Sequence, residues 1–534
     1  WISSNSPEQG WNPIGTDANP FKGTFSGNGH TIKGMSILRG STDDVGFFGV
    51  ASGATISNLT IEGSVNGGNN VGILAGYFTG IIENCRAKGS VNGSSDCVGG
   101  LIGKSGNSDI KTCRADATVK GTDYVGGLIG YVLAGKTSSD KAIDNCFASG
   151  TVDGRSNVGG LIGAMDATVF VQFEPYNYDY YRRDNYRTVA LYKYSISNCG
   201  VKCAVSAQSA STGGLIGKLS GGAYIYWYTG SKVCIYNGNS SYISDCVDLS
   251  KCVSVKGCFA LAQINAKGDN IGGIIGNCEC ADIMDSYFNG SIIGGKKVGG
   301  ICGTNDAVTT VTVKTLDGKT YPNEARPKEI TINWTSASTI SRNYSRGTIA
   351  GSEYVGGIIG NITSNATVTS NFALNPVLSA SVGPVARISP TTTGGFGALG
   401  SLTTNYTLTG AKVSKNGISQ TYSTKLSEGE SGGEDMFKLR ATYQGLGWDF
   451  DKEWAIQETE CLPYKSGQCV PPLIQSEPVS GSFIIVGKSM SGGRVFMDYA
   501  GQTYSAECKD NTWTVRTDPM KSGEMITAWV EADD

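Results

Sequence analysis

One Gly-rich phrase recurs along the chain and restricts what it can fold into more than any other feature. It reads VGFFG at 45–49, VGILAG at 71–76, VGGLIG at 98–103, 125–130 and 158–163, TGGLIG at 212–217, IGGIIG at 271–276, VGGICG at 298–303 and VGGIIG at 355–360. Successive starting positions differ by 26, 27, 27, 33, 54, 59, 27 and 57 residues, so a base period of 27 carries insertions in some units. A period in this range belongs to solenoids and arrays. A second phrase follows each copy, as in IENCRAKGSV (82–91), IDNCFASGTV (143–152) and ISRNYSRGTI (340–349). Apolar and polar residues alternate within it, and no segment sustains apolar residues at helical spacing. Each unit therefore predicts two or three short strands joined by glycine turns. A single unit cannot bury its apolar face, whereas stacked units rest the inward residues of each coil on those of its neighbours. The expected fold is all-β, a parallel β-helix of about nine to ten coils, with strands ~4.8 Å apart along its axis.

Composition agrees with turns every few residues. Glycine is 76 of 534 residues, and only 17% of the chain is charged. Each Gly-Gly pair is expected to serve a turn or a close backbone approach, since no Lys-Ser or Lys-Thr completes a phosphate-binding loop. The formal net charge is −3, without a cluster of Lys and Arg, which argues against a nucleic-acid partner. No apolar run reaches the ~18 residues of a membrane span, so no membrane insertion is expected. The chain starts at Trp1 with neither an initiator Met nor a signal-like apolar stretch, and reads as a mature or trimmed form. A monomer is expected.

The repeats resemble a known family. VGGLIG followed by I-x-N-C-x-A-x-G-x-V is similar to the GLUG repeat of exported bacterial proteins, found in adhesin-like surface proteins and beside the peptidase domain of IgA-cleaving proteases. Residues 11–37 resemble the segment that precedes such repeats and residues 445–464 the one that closes them. The resemblance implies a right-handed β-helix and an extracellular, cell-surface location. The single histidine, His30, leaves no H-E-x-x-H zinc site, so the peptidase activity of that kinship does not carry over.

The domain reading places the β-helix at 1–470, with an opening segment at 1–44, coils at 45–410 and a closing segment at 411–470. After Pro471-Pro472 the pattern changes to short alternating stretches such as SFIIVG, GRVFMDYAG and NTWTVRT. Residues 471–534 thus read as a small β-sandwich that resembles bacterial Ig-like domains.

Cys85, Cys113, Cys146, Cys199 and Cys258 hold one position in successive units, taken by Leu59, Ser286 and Asn343 in others. Stacking makes them an inward ladder of small buried thiols, a packing role preferred here to a metal array because zinc wants convergent ligands. Cys461 and Cys469 are the candidates for one disulfide. No metal or cofactor is expected.

Three large inserts, 164–195, 218–242 and 304–339, lie between the two phrases and are expected to leave the stack from one corner as β-hairpins. The first holds Tyr176, Tyr178, Tyr180, Tyr181 and Tyr186 with Arg182, Arg183 and Arg187. Tyr and Arg are enriched in recognition surfaces, which makes this tip the candidate binding site for a host or microbial surface glycan or protein. The competing role is cover for the flank of the stack, favoured for the alternating Tyr224, Tyr226 and Tyr228. Carboxylates that face each other across a cleft would signal a glycosidase. The candidate pairs Asp43/Asp44, Asp179/Asp184 and Asp449/Asp451 recur with no basic partner in register, so no catalytic residue is assigned. The reading is a non-enzymatic, adhesin-like surface protein; the alternatives are a structural spacer and a β-helical carbohydrate-active enzyme.

Overall fold

The computed structural model describes residues 7–134, 139–175, 186–191, 194–227, 253–279, 281–306, 310–315, 329–333, 338–362, 366–390, 402–420 and 428–465 except 457 and 460. It also describes 473–474, 484–488, 493–499, 502–507, 512–517 and 526–532. The chain divides into two compact units, Trp1–Ser431 and Gly432–Asp534.

The first unit is a β-solenoid of three parallel sheets, built as the repeat predicts. In sheet 1, Ile56, Ile82, Ile110, Ile143, Ile196, Val255, Ile283, Ile340, Val368 and Leu402 pair in one register column. In sheet 2, Ile37, Val65, Val91, Val119, Val152, Val205, Ile264, Ile292, Ile349, Leu378 and Val413 form a second. Sheet 3 is the short strand that opens the Gly-rich phrase, with Val98, Val125, Val158, Thr212, Ile271, Val298 and Val355 in register. All of these residues are buried. Each fully buried Ile or Val contributes roughly 1.5–3 kcal/mol, so the alternation read from the sequence carries most of the driving force.

Backbone conformation fixes the corners. The residue before the ladder position lies in the left-handed region, with Asn58, Asn84, Asn145 and Asn198 at φ of 53°, 50°, 50° and 53°. Asn tolerates that region better than most residues with a Cβ. The Gly-Gly pair is a contact requirement rather than a matter of φ. A Cβ on Gly126 would collide with the carbonyl of Ile129 in its own coil, and one on Gly127 with the carbonyl of Gly160 in the next.

The inserts do not leave from a corner. The first coils run through sheet 1 as continuous strands, Phe48–Ser57, Ala75–Glu83 and Ile102–Lys111. The register of these strands slips at one place, where Gly53 is extra against the second strand and where Gly106 and Asn107 face Thr79 alone. In the next coil the strand is split there into Ile129–Ala134 and Lys141–Asp144. The hairpins grow from this bulge, because an unpaired residue is the one point where a sheet strand lengthens without shifting the columns on either side.

In the second unit, Tyr443, Trp448 and Trp454 pack as an aromatic cluster, with ring centroids 4.8 Å and 4.5 Å apart in sequence order. Two three-stranded antiparallel sheets follow. One joins Leu473–Ile474, Ile484–Lys488 and Thr512–Arg516; the other joins Gln502–Glu507, Gly493–Tyr499 and Ile526–Ala532. Val495 and Met497, and Trp513 and Val515, are buried at alternate positions, the period-2 pattern of a strand with one covered face. Among the described residues no helix is long and apolar enough to cross a membrane.

Candidate functional site

Of the residues singled out in the first insert, Tyr176, Tyr178, Tyr180, Tyr181, Arg182 and Arg183 lie outside the described residues. Tyr186 and Arg187 begin the strand Tyr186–Leu191, of which only the backbone is described. The backbone nevertheless shows what carries this tip. Strand Ile162–Pro175 runs out of the solenoid and pairs antiparallel with Tyr186–Leu191, Glu174 opposite Arg187 and Pro175 opposite Tyr186. On its other side it pairs in parallel with Ile216–Trp227 of the second insert, from Ile162 opposite Ile216 to Phe173 opposite Trp227. That strand pairs in parallel with Thr310–Thr315 of the third insert, which closes an antiparallel hairpin with Glu329–Asn333. The three inserts are one five-stranded sheet continuous with sheet 1. Val171, Ile225 and Val313 share a register column, as do Gln172, Tyr226 and Lys314. Tyr224 and Tyr226 pair with Phe170 and Gln172 across parallel strands, and Tyr228 lies outside the described residues.

The cysteine position has a different chemistry from simple packing. Cys85, Cys113, Cys146, Cys199 and Cys258 are all buried. Each sulfur lies within hydrogen-bonding distance of two carbonyls, one two residues back and one in the preceding coil, as Cys199 does with Ser197 at 3.1 Å and Ile143 at 3.4 Å. The sulfur also accepts, since the Cys146 N–H points to Cys199 Sγ at 3.4 Å. Further along, Ser286 and Asn343 continue the column, joined by Asn371 and Asn405. Asn343 Nδ2 donates to Asn371 Oδ1 at 3.0 Å, and Asn371 Nδ2 to Asn405 Oδ1 at 3.1 Å. The left-handed corner interrupts the backbone ladder and leaves an inward N–H and C=O, and the side chain at this position satisfies both. Asn371 and Asn405 are not legible as ladder positions in the sequence, because Asn371 follows the Gly-rich phrase at 355–360 without the Asn-Cys pair and Asn405 follows no complete phrase. Burial pushes the Cys85 thiol up to about 11 and the Cys203 thiol up to about 12, and holds Cys113 and Cys199 well above the ordinary range. Such thiols are protonated and unreactive at neutral pH. Cys461 is buried, and Cys469 lies outside the described residues.

Of the candidate carboxylates, Asp43 and Asp449 hold backbone N–H groups. Asp43 Oδ1 accepts the Asn69 N–H at 2.7 Å, Asn69 Oδ1 accepts that of Asp96, and Asp96 Oδ1 that of Asp123, a second ladder on the corner before the Gly-rich phrase. Asp44 accepts Asn70 Nδ2 at 2.8 Å, and burial raises its carboxyl above the usual range. Asp449 caps the N–H groups of Asp451 and Lys452, and Asp451 accepts Arg440 Nη2 at 3.2 Å. Asp179 and Asp184 lie outside the described residues. His30 is an exposed turn residue whose N–H donates to Gly27 O at 2.8 Å. Among the described residues, no group of three or more His, Cys, Asp or Glu is placed to hold a metal.

The fold is a β-solenoid, and residues 94–120 match the family model of the GLUG motif. Two curated proteins are similar over part of the chain. Halomucin of Haloquadratum walsbyi is 40% identical over 111 residues, which is 19% of this chain and 1% of halomucin. A protein of Evansella cellulosilytica described as a Gly-rich membrane protein is 40% identical over 80 residues, 14% of this chain and 9% of that protein. The chain thus spans a small part of the length of either relative. A crystal structure described as that of an immunoglobulin A1 protease from Bacteroides ovatus aligns over 86% of this chain and 96% of its own, with 11% identity and a TM-score of 0.28.

Proposed function

We propose that the chain is part of an exported cell-surface protein, adhesin-like and non-enzymatic, in which the solenoid presents the insert sheet to a host or microbial glycan or protein. The surface location draws on the two partial relatives, one a halomucin and the other described as a membrane protein. The attachment role draws on the insert sheet, in which three inserts separated in sequence pair into one continuous surface. Independent spacer loops have no need of such pairing, whereas a recognition surface gains from it, because pre-ordered strands lose less entropy on binding. The Tyr- and Arg-rich tip of residues 176–187 supplies the contact chemistry. In this reading the last strands of the second unit form an Ig-like module that spaces or anchors the solenoid.

The test is binding of the chain, and of a version with residues 172–192 replaced by a short Gly/Ser turn, to a panel of surface glycans and matrix proteins, with product release monitored. Binding that is lost in the replaced version, without product, supports attachment. No binding by either leaves a structural spacer, and product release makes the chain an enzyme.

A further inference from the structure

The outer face of sheet 1 carries a register column that starts at Val50 and continues through Tyr77, Lys104, Tyr131 and Ala164. The ends of this run are closed. Val50 lies under the opening segment, its carbonyl accepting the Phe21 N–H at 2.9 Å, and Val50 and Ala164 are each 3% exposed. Between them the column opens, with Tyr77, Lys104 and Tyr131 half-exposed. The Tyr77 phenol reaches across the following coil, where a Cβ on Gly106 would stand only 3.2 Å from its oxygen. The same Cβ would stand 2.6 Å from Thr79 Cγ2, so Gly106 leaves room for both side chains. Lys104 Nζ sits 5.8 Å from the centroid of the Tyr131 ring, and Tyr124 packs beside that ring at 5.0 Å and 39°. Ile81 and Leu133, on the same face, are 44% and 41% exposed, although most large apolar side chains of the solenoid are buried.

We infer that this window is a second binding site, for an extended β-1,4-linked glycan lying along the solenoid axis. The inference takes its ligand class from the surface-attachment reading but stands on different residues. Aromatic faces offer apolar area to the C–H face of a pyranose, and the Lys104 ammonium is a donor for its hydroxyls. The spacing selects the polymer. Tyr77 and Tyr131 are two coils apart, roughly 10 Å at the strand spacing of a sheet. That matches the disaccharide repeat of an extended β-1,4 chain, in which alternate sugars present the same face. A helically coiled α-1,4 chain does not keep this period. The closed rungs at Val50 and Ala164 leave three open rungs between them, which limits the window to about three sugars by the same spacing.

The experiment is titration calorimetry of the full chain with β-1,4-linked N-acetylglucosamine and glucose oligomers of two to six units, with maltohexaose as the α-1,4 comparison. Affinity for at least one β-1,4 series should rise at least tenfold from two to three units and then level off. Tyr77→Ala and Tyr131→Ala should each weaken it at least tenfold, Tyr77→Phe should leave it unchanged, and replacement of residues 172–192 should leave it intact. Circular dichroism and the thermal midpoint of each variant check the fold. No binding of any oligomer, equal binding of maltohexaose, or wild-type affinity in the Tyr77→Ala, Tyr131→Ala double variant overturns the inference. Oligomer binding that is lost only with residues 172–192 also overturns it while supporting the insert tip.

Discussion

The backbone N–H of Ser286 donates to Oδ1 of Asn343 at 2.9 Å, 57 residues further along the chain and one coil along the axis. The bond recurs between Asn343 and Asn371 and between Asn371 and Asn405, at 3.0 Å each. What reads in sequence as a cysteine position is a capping position filled by Cys, Ser or Asn in every unit after the first, where Leu59 stands. Asn371→Leu should therefore destabilise the solenoid by about 3 kcal/mol, because it strands buried polar groups in two coils, whereas Asn371→Ser should cost less. Denaturant midpoints of the two variants check this; equal values would reduce the column to packing.

The thiols of the same column give a pH dependence. Cys85 is raised from 9.0 to about 11 in the folded chain, chiefly by burial. The unfolded thiol ionises first, so the stability this group contributes is complete below pH ~9 and is lost as pH rises toward 11, up to about 2.7 kcal/mol at 1.36 kcal/mol per unit. Stability measured from pH 8 to 11 should fall less steeply in Cys85→Ser than in the parent chain.

The Gly-Gly pair makes a steric prediction. A Cβ on Gly273 would meet the carbonyl of Gly300 and the ring of Phe288, both in the packed interior. Gly273→Ala should cost about 3 kcal/mol through overpacking. Gly433→Ala, at a glycine with nothing within 4 Å of an added Cβ and no positive φ, should stay within about 0.5 kcal/mol. The midpoints of thermal unfolding of the two variants separate the outcomes.

The bulge predicts where the solenoid tolerates shortening. Gly106 and Asn107 bridge in two residues the gap that residues 166–193 bridge in the coil of Ile162. Replacing 166–193 by Gly-Asn should preserve the stacked core, seen as retained β-sheet circular dichroism and cooperative unfolding. Loss of the fold would mean that the hairpin is needed to register its neighbours.

The solenoid was legible because stacking forces every coil to repeat the same inward residues. Ile82, Ile110 and Ile143 announce their column directly, as do the asparagines before the ladder. What escaped the sequence were relations that stacking creates only in three dimensions. Asp43 looks like half of a catalytic pair until Asn69, one coil on, is seen to donate its backbone N–H to it. The junction of the inserts reads in sequence as a corner because all three lie between the two phrases. The bulge at Gly53 that marks the true site is a single residue, visible only as a slip between paired strands. Pairing of Val171 with Ile225 and of Ile225 with Val313 joins segments up to 142 residues apart, and no local pattern encodes it.

The central claim is that the three inserts act as one surface, and the most direct measurement compares three versions of the chain that each lack one insert. Each would be titrated with whichever panel ligand the parent chain binds. The shared sheet predicts that replacing residues 220–252 or 306–337 by a short Gly/Ser turn weakens binding at least tenfold, as replacement of 172–192 does, because the strand that carries the tyrosine tip loses its parallel neighbours. Binding that falls only with 172–192 and is unchanged in the other two would contradict it.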